Sequence, residues 1–417
     1  MDKIGTDLLN SFLLSQSGES FISDEYYRYL KFAPIFLLAF LISLILTPLV
    51  GKLAIKLKAL NSTKEESNNK LNRHENDERR INPNRTPVLG GLAVIIPLII
   101  IIFLFIGINT TSAVIIISLT ILVIYGVIDD LYNIPGVLQF AIQFFVALIV
   151  MMFVADITVI KVPFDGVINL DWLTYKTTIL GSEASLVIPG DLIGVFWIMV
   201  CMNAVKWING LDGLMEMNMI IAYSILFIIG IRTGSEAVII ISAWLVGGLA
   251  AFTIFNFPPA KIFSGAVGSL SYGFLIATLS IVNQTKFATT IIILMLPLVD
   301  FVIVLSKRLF IYRPKSVKQV LLTPVQLMRM ADTNHIHHQL LKLNLSNRQI
   351  LLIETCIALL VGSLAVLSAE AYRFFIVLIG GLVIGLAILL LHILTHKRKI
   401  KDLKKTTDEA PESKYSY

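Results

Sequence analysis

Charge is scarce in this sequence. Asp, Glu, Lys and Arg make up only 15% of its 417 residues, against 56% hydrophobic residues, and the mean hydropathy is +0.82. A water-soluble chain of this length has no use for so much apolar surface, so the soluble classes are excluded and a polytopic membrane protein is expected. Cysteine is nearly missing as well. Cys201 and Cys356 both lie inside apolar runs, which excludes a disulfide framework and a paired-cysteine redox motif. The first 30 residues lack a compact basic-then-apolar pattern, so no cleavable signal peptide is expected. No internal repeat is present. The net charge of +6 is spread over loops, which suits an anionic leaflet and an anionic substrate, not nucleic acid.

Long apolar runs are what the chain does contain. Eleven of spanning length fall near 32–57, 87–107, 111–128, 137–155, 191–208, 214–231, 235–256, 266–283, 287–306, 349–368 and 372–394. The expected fold is therefore an all-α polytopic integral membrane protein with about eleven transmembrane helices, its partner the lipid bilayer. Residues 1–31 form an extracytoplasmic segment, 32–394 the transmembrane domain, and 395–417 a basic tail without fixed structure. Placing 58–86, 129–136, 209–213, 257–265, 307–348 and the tail on one side gathers 26 of the 34 basic residues there, Lys52, Lys56 and Lys206 included. The positive-inside rule makes that side cytoplasmic, with the N-terminus outside and the C-terminus inside. The external stretch 156–190 alternates Val and Ile around Asp165-Gly166, a hairpin signal. Gly381 and Gly385 form a GxxxG pattern of the kind that supports a homodimer.

The candidate chemistry sits at helix ends on the cytoplasmic side. One run stops at Asp129 and Asp130, and another ends in Asn209-Gly210-Leu211-Asp212-Gly213. An ionised Asp costs about 2.5–3.5 kcal/mol at the centre of a membrane helix but far less at its end. Asp129, Asp130 and Asp212 would suit Mg²⁺, a hard cation that takes oxygen ligands and keeps some waters; alone, the first two would equally serve to stop a helix. Asn203, Lys206, Asn209 and Asp212 recur every three residues and so follow one helical side, as cavity-lining groups do. Thr86-Pro87-Val88-Leu89-Gly90-Gly91 opens a helix where backbone N–H groups could face an anion, or it is plain start punctuation with close packing. His335, His337 and His338 lie in a basic loop with Arg329, Lys342 and Arg348. They suit a pyrophosphate better than zinc, because no Cys or carboxylate lies at a structural-zinc spacing. Asp300 is either an interhelical hydrogen-bond partner or a direct participant.

Together these residues resemble the polyprenyl-phosphate N-acetylhexosamine-1-phosphate transferases, the superfamily that includes phospho-MurNAc-pentapeptide translocase. The resemblance covers roughly residues 47–345 and rests on Gly126-Val127-Ile128-Asp129-Asp130, Gly210-Leu211-Asp212-Gly213-Leu214 after Asn203, Pro259-Ala260-Lys261-Ile262-Phe263, Leu296-Pro297-Leu298-Val299-Asp300 and His335-Ile336-His337-His338. The His-x-His-His spacing looks more like the undecaprenyl-phosphate GlcNAc-1-phosphate transferase branch. The resemblance implies a Mg²⁺-dependent reaction, with Mn²⁺ as a substitute metal. Undecaprenyl phosphate attacks the β-phosphorus of a UDP-N-acetylhexosamine and UMP leaves, starting a cell-envelope glycan at the plasma membrane. It implies Asp212 as the direct metal ligand, Asp129 and Asp130 as metal or lipid-phosphate holders, and the three histidines with Asn203, Lys206, Asn209, Thr86, Gly90 and Lys261 as substrate-binding residues. The chain departs from the family pattern at five positions. Lys206 replaces a usual Asn, Asn209 and Ala266 replace usual Asp residues, and Gln139 and Thr333 stand where or near where basic residues usually are. Three other readings stay open: a translocase-like enzyme using UDP-MurNAc-pentapeptide, a weakly active scaffold relative, and a transporter. A transporter would carry its ionisable groups near mid-membrane.

Overall fold

The computed structural model describes residues 32–61, 85–162, 166–179, 181–283, 287–312, 323, 334–369 and 372–408. The expected N-terminal segment, residues 62–84, Arg329, Thr333 and the last nine residues of the tail lie outside these; residues 395–408, expected to have no fixed structure, instead continue the last helix. Each apolar run is helical over most of its length, the one expected from 87 only from Leu92 onward. The helices are α1 (Ala33–Lys56), α2 (Leu92–Ile101, continued by a π turn Ile102–Ile106), α3 (Thr110–Tyr132), α4 (Gly136–Val154), α5 (Gly190–Ile208), α6 (Leu214–Thr233) and α7 (Glu236–Asn256). They continue with α8 (Gly265–Val282), α9 (Phe287–Ile293), α10 (Met295–Tyr312), the short α11 (Ile336–Lys342), α12 (Asn347–Leu367) and α13 (Arg373–Asp408).

The structure refines the expected count of eleven. Among the described residues, nine helices are long and apolar enough to cross a membrane, and α9 with α10 makes a tenth only as a pair bent by 88°. Pro297 lies just past that bend, and its missing N–H leaves the Ile293 carbonyl without a helical donor. The helix Leu92–Ile106 has 15 residues, about 22 Å at 1.5 Å per residue, short of the ~30 Å hydrocarbon core. Gly107, at φ 75°, ends it. Asn109 then starts α3 by exchanging hydrogen bonds with Ser112, both 2.9 Å. The all-α bundle carries one β appendage. Residues 156–190 fold as two antiparallel hairpins, β1 (Val159–Val162) with β2 (Gly166–Asn169) and β3 (Asp171–Ile179) with β4 (Ser182–Pro189). The first is the hairpin the alternation predicts. The second is held by cross-strand apolar neighbours such as Leu173 with Ile188 and Tyr175 with Leu186. Asp191 fastens both hairpins to α5 by accepting from the Ile157 N–H at 3.0 Å and the Val187 N–H at 2.6 Å.

α8 is the centre of the bundle, buried at every residue from Gly265 to Ser280. Its small residues let neighbouring backbones approach closely. A Cβ on Gly91, at the start of α2, would lie 2.3 Å from the Gly268 nitrogen. Backbone cannot yield as a side chain does, so Gly91→Ala is expected to cost about 3 kcal/mol or more, the upper end of overpacking. A thermal midpoint within one or two degrees of wild type in detergent would contradict this packing. α13 turns Leu378, Leu382, Leu386 and Leu389 outward, as a lipid-facing helix does. Its Gly385 faces Val299 of α10, whereas a Cβ on Gly381 would meet nothing within 4 Å.

Candidate active site

The segment Phe257–Ser264, between α7 and α8, is the hub on which the motif residues converge. Asp212, in the α5–α6 turn, accepts from the Ala260 N–H at 2.9 Å. Asp130 accepts from the Ala266 N–H through both oxygens, at 2.9 and 3.0 Å. Asn256 accepts from the Gly213 N–H and donates to the Ile262 carbonyl, both 2.7 Å. Arg348 grips the Pro258 carbonyl at 3.2 and 3.3 Å. Gly90 and Gly91 donate their N–H groups to the Phe263 and Ser264 carbonyls at 2.9 Å each. The Asp212 turn, Arg348 and the Gly90-Gly91 start of α2 therefore all touch this one strap, and Asp130 binds just beyond it.

Local electrostatics explain the two acids at the end of α3. A carboxylate at a helix C-terminus opposes the helix dipole and needs compensation from elsewhere. Asp130 finds it at the N-terminus of α8, where Gly265, at φ 69°, brings the backbone so close that a Cβ would meet the carboxylate. Asp129 finds it in the Ile134 N–H at 3.0 Å and the Lys206 ammonium at 3.4 Å. Lys206 also donates to Gln139 at 2.6 Å. One turn deeper, Asn203 donates to Gln143 at 2.7 Å and to the Met199 carbonyl at 2.8 Å. Positions 139 and 143 on α4 thus meet 206 and 203 on α5. Asn203 is a buried bridge between these helices, and Asn209, at the end of α5, is half-buried.

The histidines stand on the other side of the Asp212 turn. Asp300, in α10, accepts the Ile336 N–H at 2.9 Å and holds His335 Nδ1 at 2.7 Å, so it both caps α11 and orients the ring. Trp207 packs edge-on to His335 at 5.4 Å, with the Arg308 guanidinium 4.3 Å over the Trp207 ring. His335 and His337 stack with centroids 5.6 Å apart, and His338 lies 4.5 Å from His337. His337 rests on Gly210, where a Cβ would come within 2.6 Å of its Nε2. Burial, then its two histidine neighbours, push the His337 pKa well below the ordinary 6.5. Its proton is therefore bound more readily by the unfolded chain. The stability it contributes is present above about pH 6.5 and is lost as the pH falls below that value. The thermal midpoint should drop between about pH 7.5 and pH 5.5, and His337→Gln should flatten that drop; an unchanged pH dependence in the variant would refute the assignment.

Two expectations change. The anion-binding reading of Thr86–Gly91 loses its amides: Val88, Gly90 and Gly91 already donate to the Ala59, Phe263 and Ser264 carbonyls. Gly90 is there for close packing, since a Cβ would lie 2.4 Å from the Phe252 ring. Nor do Asp129, Asp130 and Asp212 form a three-carboxylate cage; among the described residues no group of three His, Cys, Asp or Glu is placed to hold a metal. Such a set fits Mg²⁺ only in its usual substrate-assisted manner, one or two carboxylates with phosphate and water completing the shell. Lys261 is exposed beside the Asp212 anchor. Asn256 and Glu216 escaped the sequence reading, because a single polar residue at a helix end carries no periodic signal.

A family model described as glycosyl transferase family 4 matches residues 112–284, the stretch holding both acidic helix ends and the strap. Over this stretch the chain is similar to that family. It is 27% identical over 334 residues to a Bacillus subtilis (strain 168) protein named "Probable undecaprenyl-phosphate N-acetylglucosaminyl 1-phosphate transferase", covering 78% of this chain and 82% of that one. It is 28% identical over 316 residues to the phospho-N-acetylmuramoyl-pentapeptide-transferase of Staphylococcus carnosus (strain TM300), covering 72% and 88%. Lys206 and Gln139, two of the five departures, meet in one 2.6 Å contact beside Asp129.

Proposed function

We propose that this membrane protein transfers a sugar-1-phosphate, an N-acetylhexosamine-1-phosphate, from a UDP-sugar to undecaprenyl phosphate and releases UMP. The observation that carries the reading is the convergence of Asp212, Asp130 and the Asp300-oriented histidines on one end of the bundle. The names of both relatives agree with it in reaction class. Phosphoryl transfer asks a protein for positioning and charge neutralisation more than for covalent chemistry. The cationic groups here, Lys206, Lys261 and Arg308, suit the donor diphosphate, and His335 presents Nε2 once Asp300 holds Nδ1. Mg²⁺, with Asp212 and either Asp129 or Asp130 as carboxylate ligands, would neutralise charge building on the phosphates. The basic-residue split supports a cytoplasmic site in the plasma membrane, with the N-terminus outside. The one-ended clustering speaks against a transporter.

The test is UMP release by purified protein given undecaprenyl phosphate, Mg²⁺ and a panel of UDP-sugars. Release with UDP-N-acetylhexosamines is expected. Preference for UDP-MurNAc-pentapeptide would favour the translocase-like reading, and no release with any donor would refute the proposal. The Lys206–Gln139 contact makes a further prediction. Lys206→Asn should raise KM for the UDP-sugar about tenfold with little change in kcat, the pattern for lost uniform binding. Adding Gln139→Lys should recover most of it. A double variant no better than the single one would show that the positions do not share a function.

A further inference from the structure

One buried acid has no part in the site described so far. Glu216 lies in the first turn of α6, four residues after Asp212, and is only 1% exposed. One carboxylate oxygen accepts from the Ser264 hydroxyl at 2.5 Å; the other has no hydrogen-bond partner among the described residues. Asp212, in the turn just before α6, reaches the strap at the Ala260 N–H, and Glu216 reaches it at the Ser264 hydroxyl. Asp212 and Glu216 are thus two successive rungs between the start of α6 and the strap. The Ser264 end of the lower rung is fixed further, because its carbonyl accepts from Gly91 and its side chain packs against Gly268 of α8. Burying a carboxylate is costly unless its hydrogen bonds repay it, so a rung made this way, where an apolar pair would pack, marks a demand for orientation.

We propose that Glu216 is a positioning residue for the transfer reaction: through Ser264 it holds the strap in register, and the strap in turn holds Asp212 through Ala260. This rests on the transferase reading above. It predicts that the bond to Ser264 matters more than the charge. In full-length protein in nanodiscs, Glu216→Ala should lower kcat for UMP release about 30-fold with KM for the UDP-sugar changed less than threefold. Ser264→Ala should do the same from the strap side. The double variant should be no slower than either single one, since both remove one interaction. Glu216→Gln keeps an acceptor for the Ser264 hydroxyl and should recover kcat most of the way. Hydrogen exchange supplies a readout that does not depend on turnover: amides of 257–264 should exchange faster in Glu216→Ala and Ser264→Ala, while those of β3 and β4 should not. If wild type releases no UMP, the transferase reading fails, and the exchange result still decides whether Glu216 holds the strap. Multiplying single effects, a Glu216→Gln as slow as Glu216→Ala, or unchanged strap exchange would each overturn the proposal.

Discussion

Asp212→Asn should remove nearly all UMP release, at least about 10³-fold in kcat, while the protein still folds and inserts. The argument turns on what the amide retains. Its side-chain oxygen can still accept from the Ala260 N–H, the 2.9 Å contact that anchors the strap, so the local fold has its hydrogen bond. What disappears is the negative charge at the end of the Gly210–Gly213 turn, where a divalent cation would need a hard anionic oxygen. Loss of a charge that acts mainly in the transition state appears in kcat. Asp212→Ala loses both and should be less stable as well as inactive. The measurement is steady-state UMP release at equal amounts of folded protein, over a range of Mg²⁺. Wild-type turnover by Asp212→Asn at saturating Mg²⁺ would end its assignment as the metal-binding carboxylate.

The second large effect is expected at Asp300, far from the acidic helix ends in sequence. Asp300→Asn should lower kcat/KM about 10²-fold with the protein intact. The amide oxygen can still accept from the Ile336 N–H, preserving the cap of α11. Its nitrogen, however, would then face His335 Nδ1 where a carboxylate oxygen stood at 2.7 Å. An amide N–H donates, so Nδ1 must accept and the ring proton moves to Nε2. A protonated ring there would also have no counter-ion, so His335 becomes a weaker support for a phosphate. His335→Gln in the Asp300→Asn background should add little, since the two form one unit. Additive losses would show that Asp300 acts on something other than His335.

These two aspartates mark how far the residues alone could be read. Asp212 stood out by its spacing from Asn203, Lys206 and Asn209, although α5 ends at Ile208 and carries only the first two, which face α4 while Asp212 faces the strap. Asp300 remained ambiguous because its partner lies 35 residues away in sequence, and no periodicity connects an apolar helix to a polar loop. The glycines at 90 and 91 left two readings open. A Gly pair opening a helix looks the same in sequence whether its amides face an anion or another backbone, and only the approach of Phe263 and Ser264 settles it. That Lys206 and Gln139 share one contact was not legible either, because a side-chain contact between adjacent helices leaves no trace along the chain.

Membrane character, helix positions and the one-sided grouping of motifs were determined by the sequence by itself. Each follows from quantities that add along the chain: apolar length against bilayer thickness, and basic residues counted loop by loop. The tertiary structure alone decided which carboxylate faces what. Asp130 sits on the α8 N-terminus, Asp129 against Lys206, Asp212 and Glu216 on the Phe257–Ser264 strap. Those choices depend on which helix ends meet, and a buried carboxylate goes to whichever donor is nearest in space, however distant in sequence.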